Sequence, residues 1–191
     1  MFTGIIKSVS QIKKSETKDG LLVLTIAKPE SWDLQPGDSI ATNGVCLTVK
    51  KVDDKSYTTE LMPETKNKTV FGKEVPEEVN LERSLKLSDR LDGHLVQGHV
   101  DAVGIVTKID IDGSTKIFTI SFPDEFSHLI TPKGSITVDG VSLTVIDVNE
   151  NKFTVSIIDY TLDHTNLKSK KEGEEVNLEF DIIAKYLYAN R

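Results

Sequence analysis

A single cysteine, Cys46, stands in 191 residues, so no disulfide can close within the chain, and the sequence suits a reducing compartment. Basic residues form no run: 23 Lys and Arg against 30 Asp and Glu leave a net charge of −7, the opposite of a nucleic-acid footprint. No apolar stretch nears the length of a membrane span, and the longest, around Leu21-Leu22-Val23-Leu24, is strand-sized. The start, Met1-Phe2-Thr3-Gly4-Ile5-Ile6, lacks the charged region and long apolar core of a secretion signal. A glycine-rich strand-to-helix turn for phosphate is missing as well. The four histidines, His94, His99, His128 and His164, lack metal-ligand spacing, and Cys46 has no second ligand near it in sequence. The expectation is a soluble cytoplasmic protein with no metal, nucleic-acid or membrane partner.

What is present is a repeat. Asn43-Gly44-Val45-Cys46-Leu47-Thr48-Val49 returns 96 residues later as Asp139-Gly140-Val141-Ser142-Leu143-Thr144-Val145. Each copy opens on Asn-Gly or Asp-Gly, dipeptides that tolerate the positive φ angles of a tight hairpin. Period-two alternation then puts Val45, Leu47 and Val49 on one face and Cys46 and Thr48 on the other. The second copy sets Val141, Leu143 and Val145 opposite Ser142 and Thr144. A hairpin with a half-buried strand accounts for the apolar face alone. The matched polar faces ask for a ligand.

The repeat reaches further. Val79-Asn80-Leu81-Glu82 returns as Val176-Asn177-Leu178-Glu179, and Gly4-Ile5-Ile6 aligns with Gly98-His99-Val100. Two units of about six short strands follow from β-branched content and turn punctuation. The first set lies near 3–12, 21–27, 38–42, 45–52, 57–62 and 79–83. The second lies near 95–109, 115–122, 134–138, 141–148, 152–158 and 176–180. Segments 29–33 and 123–127 read as equivalent helical turns opened by proline. Six antiparallel strands in under a hundred residues protect their edges by closing. The expected fold is therefore all-β, a tandem pair of six-stranded antiparallel barrels over 1–94 and 95–180. A helix over 181–191 follows, capped by Asp181 and too short to stand alone.

A Cys46–His99 covalent dyad fits poorly, because duplication sets Ser142 and Ile5 at the matching positions. Two similar pockets for two similar ligands fit better.

Five motifs carry a resemblance: residues 1–6, 37–49, 79–83, 93–101 and 139–145. Together they make the chain similar to the riboflavin synthase family. The resemblance implies that two molecules of 6,7-dimethyl-8-ribityllumazine become riboflavin and 5-amino-6-ribitylaminouracil by transfer of a four-carbon unit, without cofactor. It also implies a homotrimer assembled by the C-terminal helix, and it points to association with lumazine synthase. In the N-terminal barrel, ligand-contacting positions fall on Gly4, Ile5, Ile6, Cys46, Leu47, Thr48, Glu60, Leu61, Met62, Pro63, Glu64 and Thr65. In the C-terminal barrel they fall on Gly98, His99, Val100, Lys133, Ser142, Leu143, Thr144, Ile157, Ile158, Asp159, Tyr160, Thr161 and Leu162. The catalytic candidates are Ser142, Thr144, Cys46, His99 and Asp181. The alternative is a non-catalytic lumazine or flavin carrier, which would retain one pocket and lose the other.

Overall fold

In a computed structural model, described over residues 1–189, the chain forms two closed six-stranded antiparallel barrels and a C-terminal helix. The first barrel comprises β1 (Ser8–Lys18), β2 (Leu21–Ala27), β3 (Ser39–Thr42), β4 (Val45–Val52), β5 (Ser56–Leu61) and β6 (Glu78–Arg83). Its circuit runs β1-β2-β5-β4-β3-β6 and closes where Val9 pairs with Asn80. The second comprises β7 (Ala102–Asp112), β8 (Thr115–Ser121), β9 (Ser135–Val138), β10 (Val141–Asn149), β11 (Lys152–Ile157) and β12 (Glu175–Phe180), joined in the same circuit. Register shifts fall between Val49 and Lys51 in β4 and between Val145 and Asp147 in β10. Such bulges sharpen strand bending, and a small barrel needs that to close.

Alternation fills each interior. Val45, Leu47 and Val49 are buried with Leu24, Ile26 and Leu81, and Val141, Leu143 and Val145 with Phe118, Ile120 and Leu178. The hairpin dipeptides turn as expected: Asn43 has φ 45° and Gly44 79°, Asp139 47° and Gly140 79°. These two turns also touch. A Cβ on Gly44 would lie 2.8 Å from the Gly140 nitrogen, and one on Gly140 2.7 Å from the Gly44 nitrogen. Around this contact the barrels exchange hydrogen bonds in mirrored pairs. Asn80 Nδ2 donates to the Asp139 carbonyl (2.9 Å) and Asn177 Nδ2 to the Asn43 carbonyl (2.8 Å). The Val70 N–H donates to Asn177 Oδ1 and the Asn166 N–H to Asn80 Oδ1.

Several local expectations need correction. The first strand of each unit starts later than alternation suggests, at Ser8 rather than near residue 3 and at Ala102 rather than near 95. Apart from the bridge between Phe2 and Val96, these head segments leave the sheet. Their N–H groups are taken by carboxylates instead: Thr3 and Gly4 donate to Glu82, and Gln97, Gly98 and His99 donate to Glu179. Of the two proline-led turns, the one at 123–127 is a 3-10 helix over Asp124–Leu129 with Pro123 just before it. Its counterpart is only a turn, closed by Trp32 N–H donating to the Pro29 carbonyl. Two short helices, α1 (Pro63–Asn67) and α2 (Asp159–Asp163), leave no signal in the sequence, because five residues carry no periodicity. The tail is helical as α3 (Ile182–Ala189), with Asp181 Oδ1 accepting from the Ile183 N–H at 2.9 Å. Residues 190–191 of the expected tail lie outside the described residues. On α3, Ile183, Tyr186, Leu187 and Tyr188 are exposed, while the Tyr188 ring meets that of His128 with centroids 3.7 Å apart.

Candidate active site

β4 presents Cys46 and Thr48 outward because its neighbours face the core. Against it lies the head segment of the other repeat: Cys46 N–H donates to the Gly98 carbonyl at 2.8 Å. Gly98 sits at φ 79°, and a Cβ there would come within 2.6 Å of the Cys46 Cβ, so only glycine permits this approach. Cys46, Gly98, His99 and Val100, with Glu64, Thr65, Lys68 and Thr69 from α1 and the turn after it, line a cavity of about 370 Å³. That volume suits a small organic ligand.

The second barrel repeats the cradle. Ser142 N–H donates to the Gly4 carbonyl at 2.8 Å, and Gly4 has φ 77° with no room for a Cβ beside Ser142. The repeats have therefore exchanged head segments. Gly98, His99 and Val100 complete the pocket of the first barrel, and Gly4 lies against the second. The core contacts agree: Ile6 packs on the second barrel's core and Val100 on the first's. The expectation that Gly4 to Ile6 serve the N-terminal barrel and Gly98 to Val100 the C-terminal one needs correction, since near-constant spacing says which segments correspond and nothing about which barrel they lean on.

One feature belongs to the second cradle. His94 Nδ1 lies 2.8 Å from Ser142 Oγ. Burial holds the His94 imidazole below its ordinary pKa, while the charge of Asp181 acts the other way. A neutral ring at neutral pH can accept the hydroxyl proton. At the first cradle, burial raises the Cys46 thiol and keeps it protonated, with a hydrogen bond from Ser39 working against that. Cys46 is thus no ready thiolate nucleophile.

The remaining candidates divide by burial. Leu47, Leu61, Leu143, Ile157 and Leu162 point into the cores and can offer a ligand only main chain. Thr48, Met62, Pro63, Glu64, Thr144, Ile158, Asp159 and Tyr160 are exposed, while Ile5, Thr65 and Thr161 are half-buried. Glu60 pairs with Lys50 at 3.1 Å. Lys133 is exposed at φ 67°, its N–H donating to the Val145 carbonyl. His94, Glu82, Glu179, Lys68 and Thr69 were missed. The signal for both carboxylates was the repeat of 79–82 at 176–179, read only as strand. Among the described residues no group of three or more His, Cys, Asp or Glu side chains is placed to hold a metal ion, and no helix is long and apolar enough to cross a membrane.

Comparison with known proteins adds to this geometry. The lumazine binding domain matches the chain twice, over residues 3–84 and 97–181. A riboflavin synthase of Actinobacillus pleuropneumoniae is 42% identical over 98% of this chain and 88% of its own length. One from Mycobacterium bovis is also 42% identical, over 98% of this chain and 96% of its own. Among solved structures, LumP complexed with riboflavin superposes with a TM-score of 0.86 at 25% identity, covering 94% of this chain and 99% of that one. With two lumazine binding domains in tandem and this identity over nearly its whole length, the chain belongs to the riboflavin synthase family.

Proposed function

We propose that this chain makes riboflavin from two molecules of 6,7-dimethyl-8-ribityllumazine, passing a four-carbon unit from one ring to the other and releasing 5-amino-6-ribitylaminouracil. The duplication of the cradle carries this reading. Cys46 on Gly98 and Ser142 on Gly4 repeat one hydrogen bond at 2.8 Å, so one chain offers two similar seats to two identical substrates. Holding two flat rings in reacting register supplies up to about 7–11 kcal/mol of barrier lowering in well-oriented cases. The C7 methyl group of the lumazine is acidic enough that a strong buried base is unnecessary. The neutral His94 takes the Ser142 proton, and the activated hydroxyl or a water beside it serves the ring chemistry. Thr144, Thr48 and His99 position the rings, and Asp181 tunes His94 by its charge. Transfer between identical rings balances without an external oxidant or metal.

The two seats meet between chains in this reading. The first-barrel seat of one protomer faces the second-barrel seat of the next, a head-to-tail contact that closes as a ring. The exposed apolar residues of α3 hold the ring as a homotrimer in the cytoplasm, where a lumazine synthase would be a natural neighbour.

The test is turnover followed by mixing. Purified protein should consume two lumazines for each riboflavin that appears by fluorescence. Lumazine that binds and returns unchanged would mean a carrier. Thr48→Trp and Thr144→Trp should each be inactive, and activity should return when the two are mixed and allowed to exchange subunits. No recovery after exchange is shown by mass would place both seats in one chain.

A further inference from the structure

We propose that Glu82 and Glu179 are positioning residues that act across the barrel boundary, each holding the head segment of its own repeat against the pocket of the other barrel. This rests on the two-seat reading above and adds to it the parts that set each seat.

Glu179 lies on β12 of the second barrel, 2% exposed. Its carboxylate accepts three consecutive main-chain N–H groups, from Gln97 (2.7 Å), Gly98 (2.9 Å) and His99 (3.0 Å). Gathering three donors onto one anion bends the segment and turns the Gly98 carbonyl toward Cys46 N–H of the first barrel. His99 and Val100, the next residues along, line the first barrel's cavity. Glu82 mirrors this from β6. It accepts from Thr3 N–H (2.7 Å), Thr3 Oγ1 (2.6 Å) and Gly4 N–H (2.9 Å), and the Gly4 carbonyl then meets Ser142 N–H in the second barrel.

A barrel needs no such device to close. Burying a carboxylate is costly, and ordinary strand pairing of the head segment with apolar side chains would serve stability better. The carboxylates instead fix a non-sheet conformation at the two places where main chain from one repeat forms the wall of the other's seat. The arrangement occurs twice, on the matching strand each time, and no cation is needed to complete either anchor: the N–H groups do so. Around Glu179 the other charges are Lys185 of α3 and Asp101 at the foot of β7, and its own charge reaches Cys46 of β4.

The lone cysteine makes the crossing measurable. Riboflavin, used as the probe, should slow alkylation of Cys46 by iodoacetamide in the parent, followed by intact mass. Glu179→Gln should weaken that protection by at least ~10-fold, the scale of lost charge-assisted hydrogen bonds. Glu82→Gln, although on the same barrel as Cys46, should leave it unchanged. Moving the thiol to the second seat, by Cys46→Ser with Ser142→Cys, should reverse the order. A loss of packing would not follow this crossed pattern. Equal weakening by both variants, weakening by the same-barrel carboxylate, or no weakening each overturns the inference while leaving the seats in place. Absence of protection in the parent overturns the seat assignment, and this inference with it. If a glutamine variant fails to fold, Glu→Asp at that position gives the same reading, since the shorter side chain cannot reach all three donors.

Discussion

Residues 43–49, which lead into and open β4, and residues 139–145, which lead into and open β10, are one surface built twice, and the differences between them are few and chemical. Cys46 stands where the second barrel has Ser142, and Asn43 where it has Asp139. Ser142 has His94 at 2.8 Å, while the Cys46 thiol has the Ser39 hydroxyl as its neighbour. Main-chain geometry is the same to a tenth of an ångström at the paired cradle bonds, whose lengths are both 2.8 Å. Divergence after duplication has therefore spared the walls and altered the proton chemistry. Of the two cradles, the second sets a hydroxyl beside an imidazole, while the first sets a thiol beside a hydroxyl. A change that erases the Ser142–His94 pair should make the seats alike.

The largest effect should follow from that change. Ser142→Ala and His94→Gln should each lower turnover by about 10²–10⁴, the usual scale for a lost acid–base contact. The double variant should fall little further, because the two side chains act as a unit. Cys46→Ser, which copies the second barrel's residue into the first, should cost less than tenfold by the same scale. Steady-state rates on all four chains check this. Equal losses at Cys46 and Ser142 would mean that the chemistry is shared rather than divided.

How much of this contrast was legible before the structure differs by level. Alternation along β4 and β10 and the positive-φ dipeptides before them assign the barrel class and the polar faces directly, because both signals are local. The doubled spacing predicts two closed barrels for the same reason. The exchange of head segments was not legible. Gly4 and Gly98 correspond in sequence, but which cradle each one fills depends on how the two turns dock at Gly44 and Gly140, a contact between residues 96 apart. His94 lies within the motif at 93–101, but nothing along the chain tells that its ring meets Ser142, 48 residues away. Glu82 and Glu179 fall on the outward face, opposite Val79, Leu81, Val176 and Leu178, where an acidic residue reads as ordinary solvated surface and nothing local shows that a head segment covers it.

The boundary between the barrels gives the second contrast. Asn80 and Asn177 occupy matching places, fully buried, and each spends its amide on the opposite barrel. Asn80→Ala leaves the Asn166 N–H and the Asp139 carbonyl without those partners. The cost should be on the order of 3 kcal/mol, since unsatisfied buried groups bear their full desolvation penalty. Asn177→Ala exposes the Val70 N–H and the Asn43 carbonyl to the same loss, so denaturant midpoints of the two variants should fall together. A clear gap between them would show that the boundary's symmetry is geometric only.

The smallest effect is one of pH, and it separates the two anchoring carboxylates. Burial raises both, but Glu179 is pushed from the ordinary 4.5 up to about 7, against the pull of its N–H partners and of Lys185. Glu82 is raised in the same direction by burial, without reaching so far. Between 4.5 and about 7 the folded chain keeps a proton on Glu179 that the unfolded chain has released. Folding therefore binds protons in that window, and stability falls as pH rises through it. Asp139, raised by burial, adds to the same slope. His94, held below its ordinary 6.5 by burial, opposes it on the acid side of neutrality, so the decline is read against a His94→Gln background. Asp53 and Asp163, whose carboxylates are held below their ordinary values by hydrogen bonds from Ser56 and Lys168 respectively, act in the opposite sense at lower pH. Unfolding midpoints measured from pH 4.5 to 8 should decline in this His94→Gln parent. Glu179→Gln should flatten the decline toward neutral pH, and Glu82→Gln should flatten it less and nearer the acid end. A parent-like profile in Glu179→Gln would mean that its carboxylate stays ionised across the window, held by the three N–H groups more firmly than burial opposes them.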